Sequence, residues 1–258
     1  HVHDRDPDRR DRVCADLDAR PLWQLEDIAG TDCTAALVCC ETAHHEADIT
    51  AAFNAGLPVF SEKPLAGSHE AALRCADLAK DRGLLLHTGY FFRTNAALQR
   101  LKSELDAGRI GTVIAARMRF SHDGGYADWL DLDCWMTDPA LACYDGFVDE
   151  AVHVIDMLQW LIGPITRGSA VTGNALGWRL DDHGAAVVTF ENGATGVIEA
   201  GIWNLLLGVP NVREGVTAAY EATITLSCNA TTPVPPNQDR GAGWYVGDLH
   251  SHSGHSDG

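Results

Sequence analysis

Two short runs hold the residue types that could do chemistry. Glu62-Lys63-Pro64 follows the apolar segment Leu57–Phe60, and Asp149-x-x-x-His153 lies well downstream. Lys63 is one of only three lysines, with Lys80 and Lys102. A lysine just after a strand of an open α/β sheet points at the crevice where ligands bind. From there it can hydrogen-bond a substrate oxygen and stabilise negative charge developing on it. The plainer alternative is a surface lysine at a strand end. Asp149 and His153 are four residues apart, so a helix puts both on one face. Histidine titrates near neutrality and is the usual base for a hydroxyl proton. A carboxylate beside it could fix its tautomer and raise its basicity. The competing readings are an acid favoured by a helix N-terminus and a core histidine. Asp156, three residues beyond His153, reads as structural.

Asp4 closes the short strand-like stub His1-Val2-His3. In a dinucleotide-binding βαβ unit, an acid at the end of the second strand accepts from the adenosine ribose hydroxyls and disfavours a 2′-phosphate. That favours NAD over NADP, although adjacent Arg5 could serve a phosphate. The same residues, Asp-Arg-Asp-Pro-Asp, also form a helix-start signal.

These residues need a frame, and the first ninety positions alternate as strands and helices. Asp6–Leu17, His44–Ala55 and Ser68–Arg82 read as helices, the last two stopped by Gly56 and Gly83. Ala35–Cys39, Val59–Phe60 and Leu84–His87 read as short apolar strands, implying a parallel sheet covered on both sides. The texture changes after Arg93. Asn95–Ala107 and Phe147–Leu161 read as helices, and Thr112–Phe120, Arg167–Thr172, Ala185–Phe190 and Thr195–Glu199 as strands. Glu191-Asn192-Gly193 is a hairpin signal between the last two strands. This second part reads as an α+β layer with a mostly antiparallel sheet and helices on one face. The expected division is a dinucleotide-binding domain over 1–92, a substrate and catalytic domain over 93–202, and a linker and tail over 203–258.

A formal charge of −17 argues against nucleic acid and anionic membranes as partners. No apolar run approaches the roughly 20 residues that span a bilayer, and no signal peptide is visible. Eight cysteines show no CxxC spacing, which suggests free, mostly buried thiols in a cytoplasmic protein.

Several motifs recur in a fixed order: Asp4-Arg5-Asp6-Pro7, Val38-Cys39 through His45, Ala55-Gly56 with Glu62-Lys63-Pro64-Leu65-Ala66, Gly89-Tyr90-x-x-Arg93, Gly108-x-Ile110-Gly111 and Asp149-x-x-x-His153-x-x-Asp156. In this combination residues 1 to about 200 resemble the glucose–fructose oxidoreductase / inositol dehydrogenase family. The resemblance implies a truncated Rossmann-type parallel sheet followed by the α+β domain. It also implies an NAD(P)-dependent oxidoreductase acting on a sugar, a polyol or a related alcohol. Lys63 would orient the substrate at the nicotinamide, and His153 would be the acid/base with Asp149 beside it. Asp4 would hold the ribose, and Arg5, His45, Glu62, Pro64 and Arg93 would line the cofactor or substrate cleft. A homodimer or homotetramer is implied as well.

The chain departs from the family pattern at three places. It begins at the second strand, so the first strand and its Gly-x-Gly-x-x-Gly turn are expected to be missing, and this reading frame to be a fragment. Cys40-Glu41 stands where Thr-Pro is usual. Cys143-Tyr144-Asp145-Gly146 replaces two glycines, and the added side chains are expected to crowd the site.

Beyond Trp203 the resemblance changes. Gly243–His252 with His255-Ser256-Asp257-Gly258 resembles the opening of a PHP-type metallohydrolase. His250, His252, His255 and Asp257 would then be ligands of a divalent metal, alternate residues of a strand sharing one side. A solvated His-rich tail is the bland alternative. Two further readings therefore stand beside the dehydrogenase: a metal-binding piece of a phosphoesterase fused to an oxidoreductase remnant, and a fragment that neither folds stably nor binds cofactor.

Overall fold

Asp6 starts the first helix as its residue type dictates. Its carboxylate accepts from the N–H groups of Asp8 and Arg9 at 2.9 and 3.2 Å, and Pro7 occupies the first turn. The computed structural model describes residues 1–122, 134–175, 177 and 179–202. Helix α1 (Pro7–Leu17) is followed by β1 (Ala36–Val38), α2 (His45–Asn54), β2 (Val59–Ser61), α3 (His69–Arg82) and β3 (Leu86–Thr88). Ser68 caps α3 by accepting from Ala71 N–H, and Gly83 ends it at φ 63°.

The three strands pair in parallel in the order β1-β2-β3, with Leu37, Phe60 and His87 aligned in one row. Val38, Val59 and Ser61 point to the other face and are buried. There Val38 and Val59 meet Ile49, Ala52 and Phe53 of α2 and Cys75 and Ala79 of α3. The expectation of a sheet covered on both sides is not met among the described residues. Leu37 is 68 % exposed, and Phe60 stacks on His87 in the open. The cause is topological. Sequential neighbours joined by right-handed crossovers put consecutive helices on the same side of the sheet. The stub His1–His3 is likewise not a strand of this sheet. Val2 makes one isolated parallel bridge to Pro21, donating to Arg20 O and accepting from Leu22 N–H. Pro21 has no N–H with which to extend the ladder.

The second part begins with α4 (Ala96–Asp106) and β4 (Ala115–His122). After them come the short α5 (Pro139–Ala142), α6 (Gly146–Ile162), β5 (Ile165–Gly173), β6 (His183–Phe190) and β7 (Thr195–Ile202). The four strands run in the order β4-β7-β6-β5; β5–β6 and β6–β7 are antiparallel and β4–β7 parallel. The hairpin expected at Glu191-Asn192-Gly193 forms, with Gly193 at φ 85° and Asn192 Oδ1 accepting from Ala194 N–H. Phe147, Ala151, Val154 and Leu158 make a stripe along α6 at helical spacing. That stripe packs on Val188, Phe190, Ile198 and Ala200. The opposite face of this sheet is open, with Val171 78 % and Val187 60 % exposed. No helix among the described residues is long and apolar enough to cross a membrane.

Candidate active site

Lys63 sits on a loop clamped from below. Strand β2 ends at Ser61, and Glu62 N–H still donates to Val38 O at 2.8 Å. The Lys63–Pro64 peptide is cis, and Pro64 is buried. His45 at the start of α2 is 1 % exposed, with Nδ1 2.8 Å from Pro64 O and Nε2 3.0 Å from Cys40 O. Both ring nitrogens are thus directed at main-chain carbonyls. His45 was expected to line the cleft; it instead ties the Lys63 loop to the loop after β1. Burial took it there, because a ring N–H that donates to a main-chain carbonyl keeps its polar hydrogen satisfied without solvent. Glu62 accepts from Lys63 N–H at 3.1 Å, and its carboxylate lies 3.1 Å from where a Cβ on Gly89 would be. A glycine at position 89 is what allows that approach.

The other half of the site is α6. Its N-cap Asp145 makes no capping bond. Asp181, from the β5–β6 connection, accepts from Phe147 N–H at 2.8 Å in its place. Gly146 donates to Asp181 O at 3.0 Å, and a Cβ at Gly146 would come within 2.7 Å of that oxygen. Beside the apolar stripe, Glu150 and His153 lie against the β4 edge of the sheet, at His122 and Phe120, and Asp149 is turned to Lys63. Lys63 Nζ donates to Asp149 Oδ1 at 2.9 Å and to Asp149 O at 3.1 Å. The two sequence-expected motifs, 86 residues apart, therefore meet.

Asp149 was expected to steady His153, and here the structure differs. The carboxylate is turned to Lys63, and His153 Nδ1 has no hydrogen-bond partner among the described residues although the residue is only 4 % exposed. A cation within hydrogen-bonding distance is the stronger attraction for a carboxylate. His153 is packed instead among the rings of Tyr90, Phe91, Phe92 and Phe120, at centroid distances of 5.0–6.5 Å. Burial, and then the charge of Lys63, push the imidazole below its ordinary pKa; Glu150, Asp149 and Glu62 oppose this. The ring is therefore held neutral, with an unused nitrogen.

Two residues that the sequence reading passed over complete this side. Glu150 Oε1 lies 2.9 Å from His122 Nε2, and both side chains are largely buried. Burial works against the Glu150 charge, but the His122 bond and the nearby Lys63, His122 and His153 bring its carboxyl below the usual range. The i, i+3 spacing of Glu150 and His153 was the available signal. His122 was hidden because the strand runs two residues past its expected end at Phe120.

The remaining expected site residues have other partners. Asp4 accepts from Arg9 at 2.5 and 2.8 Å. Burial raises its pKa, yet the Arg9 bonds and Asp6 N–H bring it down overall. Arg5 is held by Asp48 at 2.6 and 3.2 Å. Arg93 forms a two-pronged pair with Asp156 at 2.6 and 2.8 Å, which ties the turn Phe91–Thr94 to α6. Cys143 takes a left-handed φ of 65°, and its Sγ lies 2.8 Å from where a Cβ on Gly67 would be. Its side chain is thus absorbed against Gly67, where crowding of the site was expected. His250, His252, His255 and Asp257, with all of 203–258, lie outside the described residues. Among the described residues, no group of three or more His, Cys, Asp or Glu side chains could hold a metal.

Beside Asp149 lies a cleft of about 80 Å³, lined by Trp135, Tyr144, Asp145, Asp149, Glu150 and Asp181, with His122 at its wall. A larger hollow between α2 and the turn Leu25–Gly30 is lined by alanines, Ile28 and polar side chains such as Glu26, Glu46 and Thr50, and Lys63, Asp149 and His153 are not in its lining.

Comparison with known proteins places these features. Residues 1–90 match the family model described as "Oxidoreductase family, NAD-binding Rossmann fold", and residues 98–205 match the "GFO/IDH/MocA C-terminal domain". An inositol 2-dehydrogenase of Saccharopolyspora erythraea is 33 % identical over 167 residues, covering 62 % of this chain and 45 % of that protein. A levoglucosan dehydrogenase of Pseudarthrobacter phenanthrenivorans is 28 % identical over 182 residues, covering 61 % and 46 %. The chain thus spans about half the length of these relatives. A levoglucosan dehydrogenase structure in complex with NADH and levoglucosan superposes with a TM-score of 0.71 at 22 % identity, over 77 % of this chain and 56 % of that one; it supports the fold. Two adjoining models of one family, matched in order along the residues that bring Lys63 to α6, show that the chain belongs to the GFO/IDH/MocA oxidoreductase family.

Proposed function

We propose that this chain carries the catalytic site of an NAD-dependent dehydrogenase that oxidises an alcohol of a sugar or polyol. The observation that carries the reading is the meeting of Lys63 Nζ with Asp149, one helical turn from a buried histidine with an unpartnered nitrogen. In this reading Lys63 hydrogen-bonds the substrate oxygen and stabilises negative charge on it as the proton leaves. His153, held neutral by burial and by Lys63, takes that proton. Asp149 keeps the Lys63 ammonium aimed at the oxygen. The nicotinamide supplies the hydride acceptor. The fit to that group rests on the strand ends: Glu62 and Lys63 follow β2, and Gly89 follows β3 with a carboxylate drawn up to it.

Residues 1–92 would hold the nucleotide, through Asp4 and Glu62, and residues 93–202 the substrate. Arg5 and Arg9 are both engaged by carboxylates, which favours NAD over NADP. The names of the relatives support an inositol or an anhydro-sugar as the kind of substrate. The open sheet face around Val171 and Val187 supports a homodimer or homotetramer, and the free thiols support a cytoplasmic protein.

The test is NAD⁺-dependent NADH formation from myo-inositol and levoglucosan by wild type and Lys63→Met. Loss of the lysine is expected to lower kcat/KM by about a thousand-fold or more, with an unchanged circular dichroism spectrum. A folded Lys63→Met protein with full turnover would overturn the reading.

A further inference from the structure

A proton on His153 creates a charge that Asp149 is not placed to balance. The ring is boxed by Tyr90, Phe91, Phe92 and Phe120, and its buried Nδ1 has no hydrogen-bond partner among the described residues. Protonation there makes a buried cation beside the Lys63 ammonium, which needs a negative neighbour. Asp149 is bonded to Lys63 Nζ, and Asp156, on the next turn of the helix, is bonded to Arg93. From the loop after β2, Glu62 accepts from Lys63 N–H. Burial and Asp156 push the Tyr90 phenol up, so it supplies no negative charge. Glu150 is engaged differently, by His122 Nε2 at 2.9 Å. On its other side Tyr144, Asp145 and Asp181 line the cleft. Phe120 and His122 are two residues apart on β4 and share one face of the strand. Glu150 and His153 are three apart on α6 and are neighbours on the helix surface. Phe120 lies 5.4 Å from the His153 ring and His122 bonds Glu150, so the two pairs lie in register. Burial and Lys63 work against a charged His153; of the charges that oppose them Glu150 comes first, ahead of Asp149 and Glu62.

We propose that Glu150, anchored by His122, is a positioning residue for the proton transfer: it is the counter-charge that lets the buried His153 hold the proton it takes. The inference rests on the dehydrogenase reading for the role of His153 and adds a residue to it. In the transfer the substrate O–H bond breaks and an N–H bond forms on His153. The electron pair stays on the oxygen beside Lys63, and the imidazolium is left beside Glu150. No proton passes to Glu150 itself. Asp149 and Glu150, adjacent in the chain, thus divide the work. Asp149 holds the cation that meets the substrate oxygen, and Glu150 balances the cation that the reaction creates.

The test reads His153 directly, by NMR titration of the full chain carrying ¹³C-labelled histidine. The His153 signal is the one that His153→Asn removes. The pH dependence of kcat/KM with NAD⁺ and myo-inositol is measured alongside. Glu150→Gln keeps an oxygen acceptor for His122 and removes the charge. The His153 titration should move to lower pH than in wild type, and the acid limb of kcat/KM should move with it. The rate above that limb should fall about ten-fold. Glu150→Asp keeps the charge and should return both toward wild type. A merely structural Glu150 would change thermal stability and leave the titration in place. An unmoved His153 titration in folded Glu150→Gln protein overturns the proposal. So does a Glu150→Asp variant shifted as far as Glu150→Gln, or a shifted titration with kcat/KM unchanged. A wild-type His153 that takes no proton down to the pH of acid unfolding overturns it too, since no buried cation then needs balancing. If the titration moves as expected and wild type forms no NADH, the dehydrogenase reading fails and the coupling of Glu150 to His153 stands.

Discussion

The two halves of the candidate site are positioned by different physics. Asp149 and His153 are placed by burial: the stripe Phe147, Ala151, Val154 and Leu158 seats α6 on the four-stranded sheet, and the functional side chains occupy what is left. Lys63 is placed by directional polar contacts. Glu62 N–H reaches Val38 O, and the His45 ring lies between Pro64 O and Cys40 O beneath the loop. The helix is thus held by a large, non-directional force and the loop by a few hydrogen bonds. Damage to the first should cost stability, whereas damage to the second should cost geometry.

Phe147→Ala breaks the comparison most severely. Removing a ring that packs on Gly184 and the sheet should destabilise the protein by about 3–5 kcal/mol, measured as a fall in the denaturant midpoint. Activity should disappear in proportion to the unfolded fraction and no further. His45→Ala is expected to be smaller in stability, about 1–3 kcal/mol for a buried carbonyl left without its donor. It should lower kcat in the protein that remains folded, because the Lys63 ammonium is no longer held against Asp149. If Phe147→Ala lowered kcat per folded molecule more than His45→Ala did, the contrast between the two halves would be wrong.

The same contrast explains what could be read from the sequence. Apolar periodicity reports burial, so the α6 stripe, the strands and the caps at Asp6, Ser68 and Gly83 were legible. The Lys63 and Asp149–His153 motifs were legible too, because spacing and residue type reveal chemistry. Directional partners were not. Asp149 turns to Lys63 and away from His153 because of an approach 86 residues distant in the chain. His45 became a clamp through two carbonyls that no periodicity encodes. Glu150 escaped because its partner, His122, lies past the expected end of β4. The sheet expected to be covered on both sides failed for a topological reason. Helix spacing reveals that crossovers exist, while the sequential strand order that puts both helices on one face is a tertiary property.

The central claim is that a buried, neutral His153 takes the substrate proton beside Lys63. A group whose folded pKa is depressed is neutral, and competent as a base, above that pKa. Its contribution to stability is present above its unfolded value of about 6.5 and is lost as the pH falls through the depressed one. The most direct measurement is the pH dependence of kcat/KM for NADH formation by wild type and His153→Asn. The account predicts a wild-type acid limb centred below pH 6.5 and, in the variant, a rate about a hundred-fold or more lower with that limb gone. A variant that kept both the wild-type rate and the same acid limb would contradict it.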